Sequence, residues 1–373
     1  MSSRRTETGT GVPTGADTGS DTVGIAGEAG VLRRVLAQLA PSEAAVVGPG
    51  DDSAVLRVRG DLVVTSDTMI EGPDFRRAWH RGFDLGWKLA ATNLSDVAAM
   101  GARPTGLTVS LAVPRDTPVA LLEEIARGLT AACAALAPGC GVVGGDLGTA
   151  PVITAAVTAI GELDGTPPVL RSEARAGDQV AYAGDLGLAG LGLTLLFSDG
   201  VDADGVAHAR GIARHLATHP RLLAAQLAPT PPIALGRIAA QAGATAMMDV
   251  SDSLSLDADR LARASSRDPE AAETSSTKRS QAVTIDLDSA GLLHAFGEQH
   301  GESVPLEAML AGGEDHGLLA AFPADTTLPA GFHRIGSVVP AVARSAALTL
   351  DGDPTEPRGW DPFTVRLPGL GEV

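Results

Sequence analysis

Apolar runs in this chain are short. They alternate between strand-like and helix-like periods, and again and again they end on a glycine turn or a carboxylate. That pattern restricts the fold more than any other feature. The longest stretch without charge, from Gly128 to Gly145, is interrupted by Pro138, Gly139, Gly141 and Gly144. It reads as a helix end, a turn and a strand, not as a membrane span. An amphipathic helix through Leu32, Val35, Leu36 and Leu39 is expected to begin near Ala26 and to stop at Pro41. Ala54–Val58 and Leu62–Thr65 flank Gly60-Asp61, a hairpin signal. Helices are predicted over Asp84–Met100 and Pro118–Leu136, with strands at Leu107–Val113, Val142-Val143 and Val152–Ile160.

Gly165-Thr166-Pro167-Pro168 reads as a linker. Beyond it strands are expected at Gln179–Tyr182, Ala246–Val250, Ile285–Leu287, Leu318–Phe322 and Ile335–Val339, with helices at Leu188–Phe197 and Leu256–Ala264. The chain therefore reads as an α/β (α+β) protein of two domains. Residues 1–24, polar and glycine-rich, read as a disordered tail. The first domain is placed at 25–165 and the second at 166–373, with a polar, mobile insert near 267–282.

Six motifs carry candidate chemistry. Gly48-Pro49-Gly50-Asp51-Asp52 sets paired carboxylates on a glycine turn before a strand. Val64-Thr65-Ser66-Asp67-Thr68 ends an apolar strand, with residues 65 and 67 on one face. Asn93-Leu94-Ser95-Asp96 lies in a helix where Lys88, Thr92 and Asp96 recur every four residues. Val142-Val143-Gly144-Gly145-Asp146 runs a strand into two glycines that would let backbone N–H groups approach a phosphate. Asp249-Val250-Ser251-Asp252-Ser253 joins a buried strand to a helix N-terminus, and Gly312-Gly313-Glu314-Asp315-His316 closes the set. Alone, each also describes an acidic turn, a helix face or an ordinary cap; His316 reads as a packed or surface histidine. Together they supply oxygen donors with almost no histidine or cysteine, which favours Mg²⁺ over zinc or iron.

Charge narrows the partners. The formal net charge is −17, which repels nucleic acid and anionic membrane. Lys88 and Lys278 are the only lysines, and neither follows a glycine loop, so a P-loop is excluded. No protein-kinase H-R-D or D-F-G set occurs. Gly184-Asp185-Leu186-Gly187-Leu188-Ala189-Gly190 reads as a close-packed turn that could assist an anion. The two cysteines, Cys133 and Cys140, read as small buried residues of a reducing, cytoplasmic protein. The N-terminus shows no apolar leader segment, in keeping with that location.

In order and spacing, from Gly48 to Phe363, the motifs resemble the thiamine-monophosphate kinases, within the wider superfamily of aminoimidazole-ribonucleotide-synthetase-like ATP-binding proteins. Asn93-Leu94-Ser95-Asp96-Val97-Ala98-Ala99-Met100-Gly101-Ala102 is the most specific stretch. The resemblance implies ATP as co-substrate, thiamine monophosphate as acceptor, several Mg²⁺ ions, and a homodimer formed through the N-terminal mixed sheet. It implies Asp52, Thr65, Ser66, Asp67, Asp96, Asp146, Asp249 and Asp252 around the metals, and Gly145, Asp146, Arg171 and Ser251 on ATP. It places Asp74, Glu314 and Trp360 at the acceptor, and no protein side chain as catalytic base. This chain departs from the family pattern at Asp74, where histidine is usual, at Ser253, where glycine is usual, and at Leu147-Gly148-Thr149 and His316-Gly317. Another ATP-using synthetase of the superfamily and a non-catalytic nucleotide- or Mg²⁺-binding protein are the alternative readings.

Overall fold

The computed structural model describes residues 21–266, 282–341 and 347–360. The expected tail at 1–20, the insert at 267–281 and the end of the chain lie outside the described residues. Residues 21–24 do not belong to a disordered tail: Thr22 bridges to Pro118, and the first helix starts at Val23.

The N-terminal part contains α1 (Val23–Leu36), β1 (Ala45–Val47), β2 (Val55–Leu56), β3 (Leu62–Ile70), α2 (Gly82–Ala99), β4 (Arg103–Val113), α3 (Val119–Leu136), β5 (Val142–Thr149) and β6 (Thr154–Glu162). Four strands form one sheet in the order β3-β6-β4-β5, with only β4 and β5 parallel. One face is covered by α2 and α3 and supplies a core of Val63, Leu89, Leu94, Leu107, Ile125, Val157 and their neighbours. The two helices cross closely because glycine stands at the contact. A Cβ on Gly86 would lie 2.0 Å from the Ile125 carbonyl, and one on Gly128 would lie 2.1 Å from that of Phe83. The other face of the sheet is open, leaving Leu62, Val64 and Ile70 exposed.

The hairpin expected at Gly60-Asp61 does not form. β2 pairs instead with β1, and all nine residues of β3 pair with β6. Gly60 does adopt the turn conformation at φ +69, but nine paired residues on a shared core outweigh a local turn preference.

The C-terminal part contains β7 (Gln179–Ala183), α4 (Leu188–Asp199), α5 (Ile212–Thr218), α6 (Pro220–Leu227), α7 (Ile233–Gln241), β8 (Ala246–Val250), α8 (Leu254–Ser265), β9 (Val283–Leu287), α9 (Ser289–Phe296), β10 (Glu298–Gln299), β11 (Glu302–Ser303), α10 (Leu306–Ala311), β12 (Gly317–Phe322), β13 (His333–Pro340), β14 (Leu348–Leu350) and β15 (Asp353–Pro354). Seven strands form a mixed sheet ordered β15-β14-β9-β13-β7-β12-β8. Its central strands are apolar on both faces, so they read as continuous runs. Mixed sheets with covering helices make this a mixed α/β fold. No described helix is long and apolar enough to cross a membrane.

Candidate active site

Helix α2 is the spine of the site. Lys88, Thr92, Asn93 and Ser95 are all buried, so the polar stripe of the sequence is not a solvated face. One side of α2 lies over β3. There the Thr65 hydroxyl donates to Asp96 Oδ2 at 3.1 Å, and Asp67 projects from the same strand face. Asp249, at the end of β8, comes from the other sheet: Ser95 Oγ donates to its Oδ2 at 3.1 Å, and His316 Nδ1 lies 3.4 Å from the same oxygen. His316 is thus a buried neighbour of a carboxylate.

These carboxylates strain one another. Burial, then the Asp249 and Asp67 charges, push the Asp96 carboxyl up to about 8. Asp67 keeps an edge toward solvent, yet desolvation and then the Asp249 charge raise it as well. Among the described residues, no lysine or arginine pairs with Asp67, Asp96 or Asp249. No three acidic, histidine or cysteine side chains among those residues close on a single point as a complete metal cage would require. The donors still fit Mg²⁺: they are all oxygen, no lysine or arginine among the described residues already neutralises them, and Mg²⁺ is commonly held by one or two carboxylates plus phosphate oxygens and water.

The loop after β8 is built differently. The N–H groups of Ser251 and Asp252 both donate to Asp257 Oδ2 at 3.1 Å. Arg260 bridges Asp257 and Asp252. Ser253 caps α8 by accepting from Leu256 N at 3.1 Å and donates to the Arg358 carbonyl at 2.6 Å. It sits at φ 157, a conformation glycine adopts freely, and these bonds hold the serine there.

A cavity of about 850 Å³ opens beside this loop, lined by Asp74, Arg76, Trp79, His80, Phe197, Gln226, Glu314 and Trp360 among others. All three residues expected at the acceptor are therefore in one place. Asp74 accepts from Ile70 N at 2.7 Å, and burial raises its carboxyl. The cavity is tied to the loop after β8 through the backbone: Glu314 N–H donates to Ser251 O at 2.7 Å and Trp360 N–H to Asp252 O at 3.0 Å.

The remaining sequence candidates lie elsewhere. Gly144-Gly145-Asp146 is not a turn after a strand but the middle of β5, because β5 continues to Thr149 alongside β4. A Cβ on Gly145 would meet the Val109 carbonyl at 2.0 Å, so glycine is needed there to let the strands approach. Likewise Thr65-Ser66-Asp67 is inside β3, not at its end. Ser66 therefore faces away from Thr65 and Asp67, bonding Val157 O and Thr158 Oγ1, each at 3.1 Å. One row across the sheet reads Asp67, Val157, Val109, Gly145, which separates its ends by about 14 Å. Asp52 and Asp146 line a second cavity of about 340 Å³ between α1, α3 and β5. Arg171 is exposed; its carbonyl accepts from Ser265, and no hydrogen bond or ion pair among the described residues joins it to the carboxylates.

The turn at Gly184–Gly190 does not offer an anion site. The N–H groups of Gly187 and Ala189, at the start of α4, already bind the Asp315 carboxylate at 2.6 and 3.1 Å. Sequence reasoning also missed the pairing of Lys88 with Glu314 at 3.2 Å. The signal available was that Lys88 is one of two lysines and lies in a helix that had to be buried.

Residues 50–163 match the AIR synthase related protein, N-terminal domain, which defines the class as the fold and the acidic cleft do. Thiamine-monophosphate kinase of Mycobacterium tuberculosis is 34% identical over 354 residues, covering 93% of this chain and 94% of that protein. The crystal structure of thiamine-monophosphate kinase from Stenotrophomonas maltophilia is 29% identical with a TM-score of 0.67, covering 87% of this chain and 97% of that one. AaThiL complexed with AMPPCP and TMP is 28% identical with a TM-score of 0.63, covering 90% of this chain and 96% of that one. This chain belongs to the thiamine-monophosphate kinase family.

Proposed function

We propose that this chain transfers the terminal phosphoryl group of ATP directly, in line, to the phosphate of thiamine monophosphate, giving thiamine diphosphate. The observation that carries the reading is the backbone join between the Ser251-Asp252 loop, which directly follows Asp249 of the cation-poor carboxylate group, and the cavity of Asp74, Glu314 and Trp360. The related AaThiL structure with AMPPCP and TMP supports it. Thr65, Asp67, Asp96, Asp249 and Asp252 would hold Mg²⁺ on the cluster side, and Asp52, Ser66 and Asp146 on the sheet side. Bound there, Mg²⁺ would offset repulsion between the two phosphate groups and stabilise charge during transfer.

The chain's own residues do the rest. The acceptor phosphate, with a second pKa of about 6, is already largely a dianion near neutrality and needs no base. Glu314 and the Trp360 ring suit the positive thiazolium ring. Gly145, Asp146, Ser251 and Arg171 would contact ATP. Residues 25–165 form the ATP- and Mg²⁺-binding domain and 166–373 the second domain of a cytoplasmic homodimer.

The sheet supports a homodimer. Asp146 lies three strands away from Asp67 and on the opposite face. Pairing of the exposed Leu62–Val64–Ile70 face with a second copy would bury that surface and set a second copy's sheet-side residues against this sheet. Two measurements test the reading. ATP, Mg²⁺ and thiamine monophosphate should yield thiamine diphosphate; no product refutes the acceptor. Inactive Asp96→Asn and Asp146→Asn chains, co-expressed, should regain part of the activity, and no recovery refutes the shared site.

A further inference from the structure

Glu314 is held by more contacts than a pocket carboxylate needs. Lys88, on α2, is 1% exposed and stands 3.2 Å from Glu314 Oε1. Gln226, on α6, donates from Nε2 to the other oxygen, Oε2. The Glu314 backbone sits at φ +68, a conformation a non-glycine residue keeps only when its surroundings fix it. Its side chain remains 31% exposed, on the wall of the cavity. A lysine in a helix interior loses its hydration and needs a counter-charge. Lys88 Nζ has no acceptor in hydrogen-bond geometry among the described residues, which leaves the ion pair with Glu314 as its counter-charge.

We propose that Lys88 and Gln226 are positioning residues of the acceptor site, which grip both oxygens of Glu314 from two helices and present it to the cavity as a fixed carboxylate for a cationic ring. The proposal rests on the thiamine monophosphate reading above. The surrounding charges agree with it. Burial pushes the Glu314 carboxyl up, but Lys88, the Gln226 hydrogen bond and His316 together hold it below the ordinary range. From the N-terminal part, Asp74 and His80 also face this pair. Burial raises the Asp74 carboxyl and drives His80 down to about 3, so the ring is neutral and adds no competing cation. Neither Lys88 nor Gln226 touches the carboxylate group at Asp96, so the phosphoryl-donor side should not register their loss.

The test uses the full chain and the variants Lys88→Met and Gln226→Leu, with ATP and thiamine monophosphate varied separately. Expected is a rise of about tenfold in KM for thiamine monophosphate, the scale of one charge-assisted contact, with KM for ATP unchanged. In Lys88→Met the ratio of variant to wild-type acceptor KM should fall as pH rises, because Glu314 without its cation must be deprotonated to bind. Taking the ratio cancels the acceptor's own titration. Equal shifts for ATP and acceptor, or a ratio flat with pH, overturn the proposal. If Lys88→Met does not fold, the acceptor-only shift in Gln226→Leu decides. A wild-type chain that forms no thiamine diphosphate overturns the underlying function, a result distinct from active variants with unshifted acceptor KM.

Discussion

Two sets of carboxylates stand side by side in this cleft and are treated oppositely. Asp252 and Asp257 share Arg260, and Glu314 has Lys88. Asp67, Asp96 and Asp249 face each other without a lysine or arginine among the described residues. The first set is compensated by the protein and serves to hold a loop and a pocket wall. The second is left in mutual repulsion, which either a proton or a bound cation relieves. The contrast supports the proposed cation site at the uncompensated set, with Asp252 at its edge already shared with Arg260.

The comparison can be broken most severely at Asp96. Asp96→Asn should lower turnover by about a thousandfold or more, the scale expected when charge stabilisation of the transferring group is lost. The same variant should melt no lower than wild type without Mg²⁺, because it removes a repelled charge. An active Asp96→Asn enzyme would sink the metal assignment. Next comes Lys88→Met, which strips the compensated set of its cation. Loss of one partner from a buried pair should cost about 3 kcal/mol, read from urea unfolding.

The pH dependence follows from the same contrast. The Asp96 carboxyl has a pKa raised from 3.8 to about 8 in the folded state. A raised folded pKa gives stability that is complete below 3.8 and lost as pH rises toward 8. Without metal, wild type should therefore lose thermal stability across that window, and Asp96→Asn should lose less. Added Mg²⁺ should restore wild type most at the upper end and leave Asp96→Asn nearly unchanged. Equal pH profiles for the two proteins would remove the repulsion argument. The smallest effect is expected at Asp315→Ala, where α4 loses the acceptor of two N–H groups; about 1–2 kcal/mol should go, with the acceptor KM as the control.

The sequence announced the cluster better than the geometry around it. Asn93-Leu94-Ser95-Asp96 and Asp249-Val250-Ser251-Asp252 were readable because a carboxylate at the end of an apolar element is a local pattern. Ser66 joined the metal donors only through the family resemblance; strand alternation, already read from residues 65 and 67, puts it on the opposite face from Asp67. The Gly60-Asp61 turn was real, but which strand β3 chooses is decided by the core. The grip of Lys88 and Gln226 on Glu314 joins positions far apart in the chain, and no spacing rule connects them. The short helices α5, α6 and α7 left no clear period, since each spans only two or three turns.

Because α2 is buried along nearly its whole length, it works as a ruler. Lys88 and Asp96 are eight residues apart on it, so about 12 Å of axial rise separates the Lys88–Glu314 pair from the Asp96 carboxylate. Neither mark can slide relative to the other without disturbing both sheets. In the proposed reaction, this fixed spacing would let the cleft measure an acceptor by its length as well as by its charges.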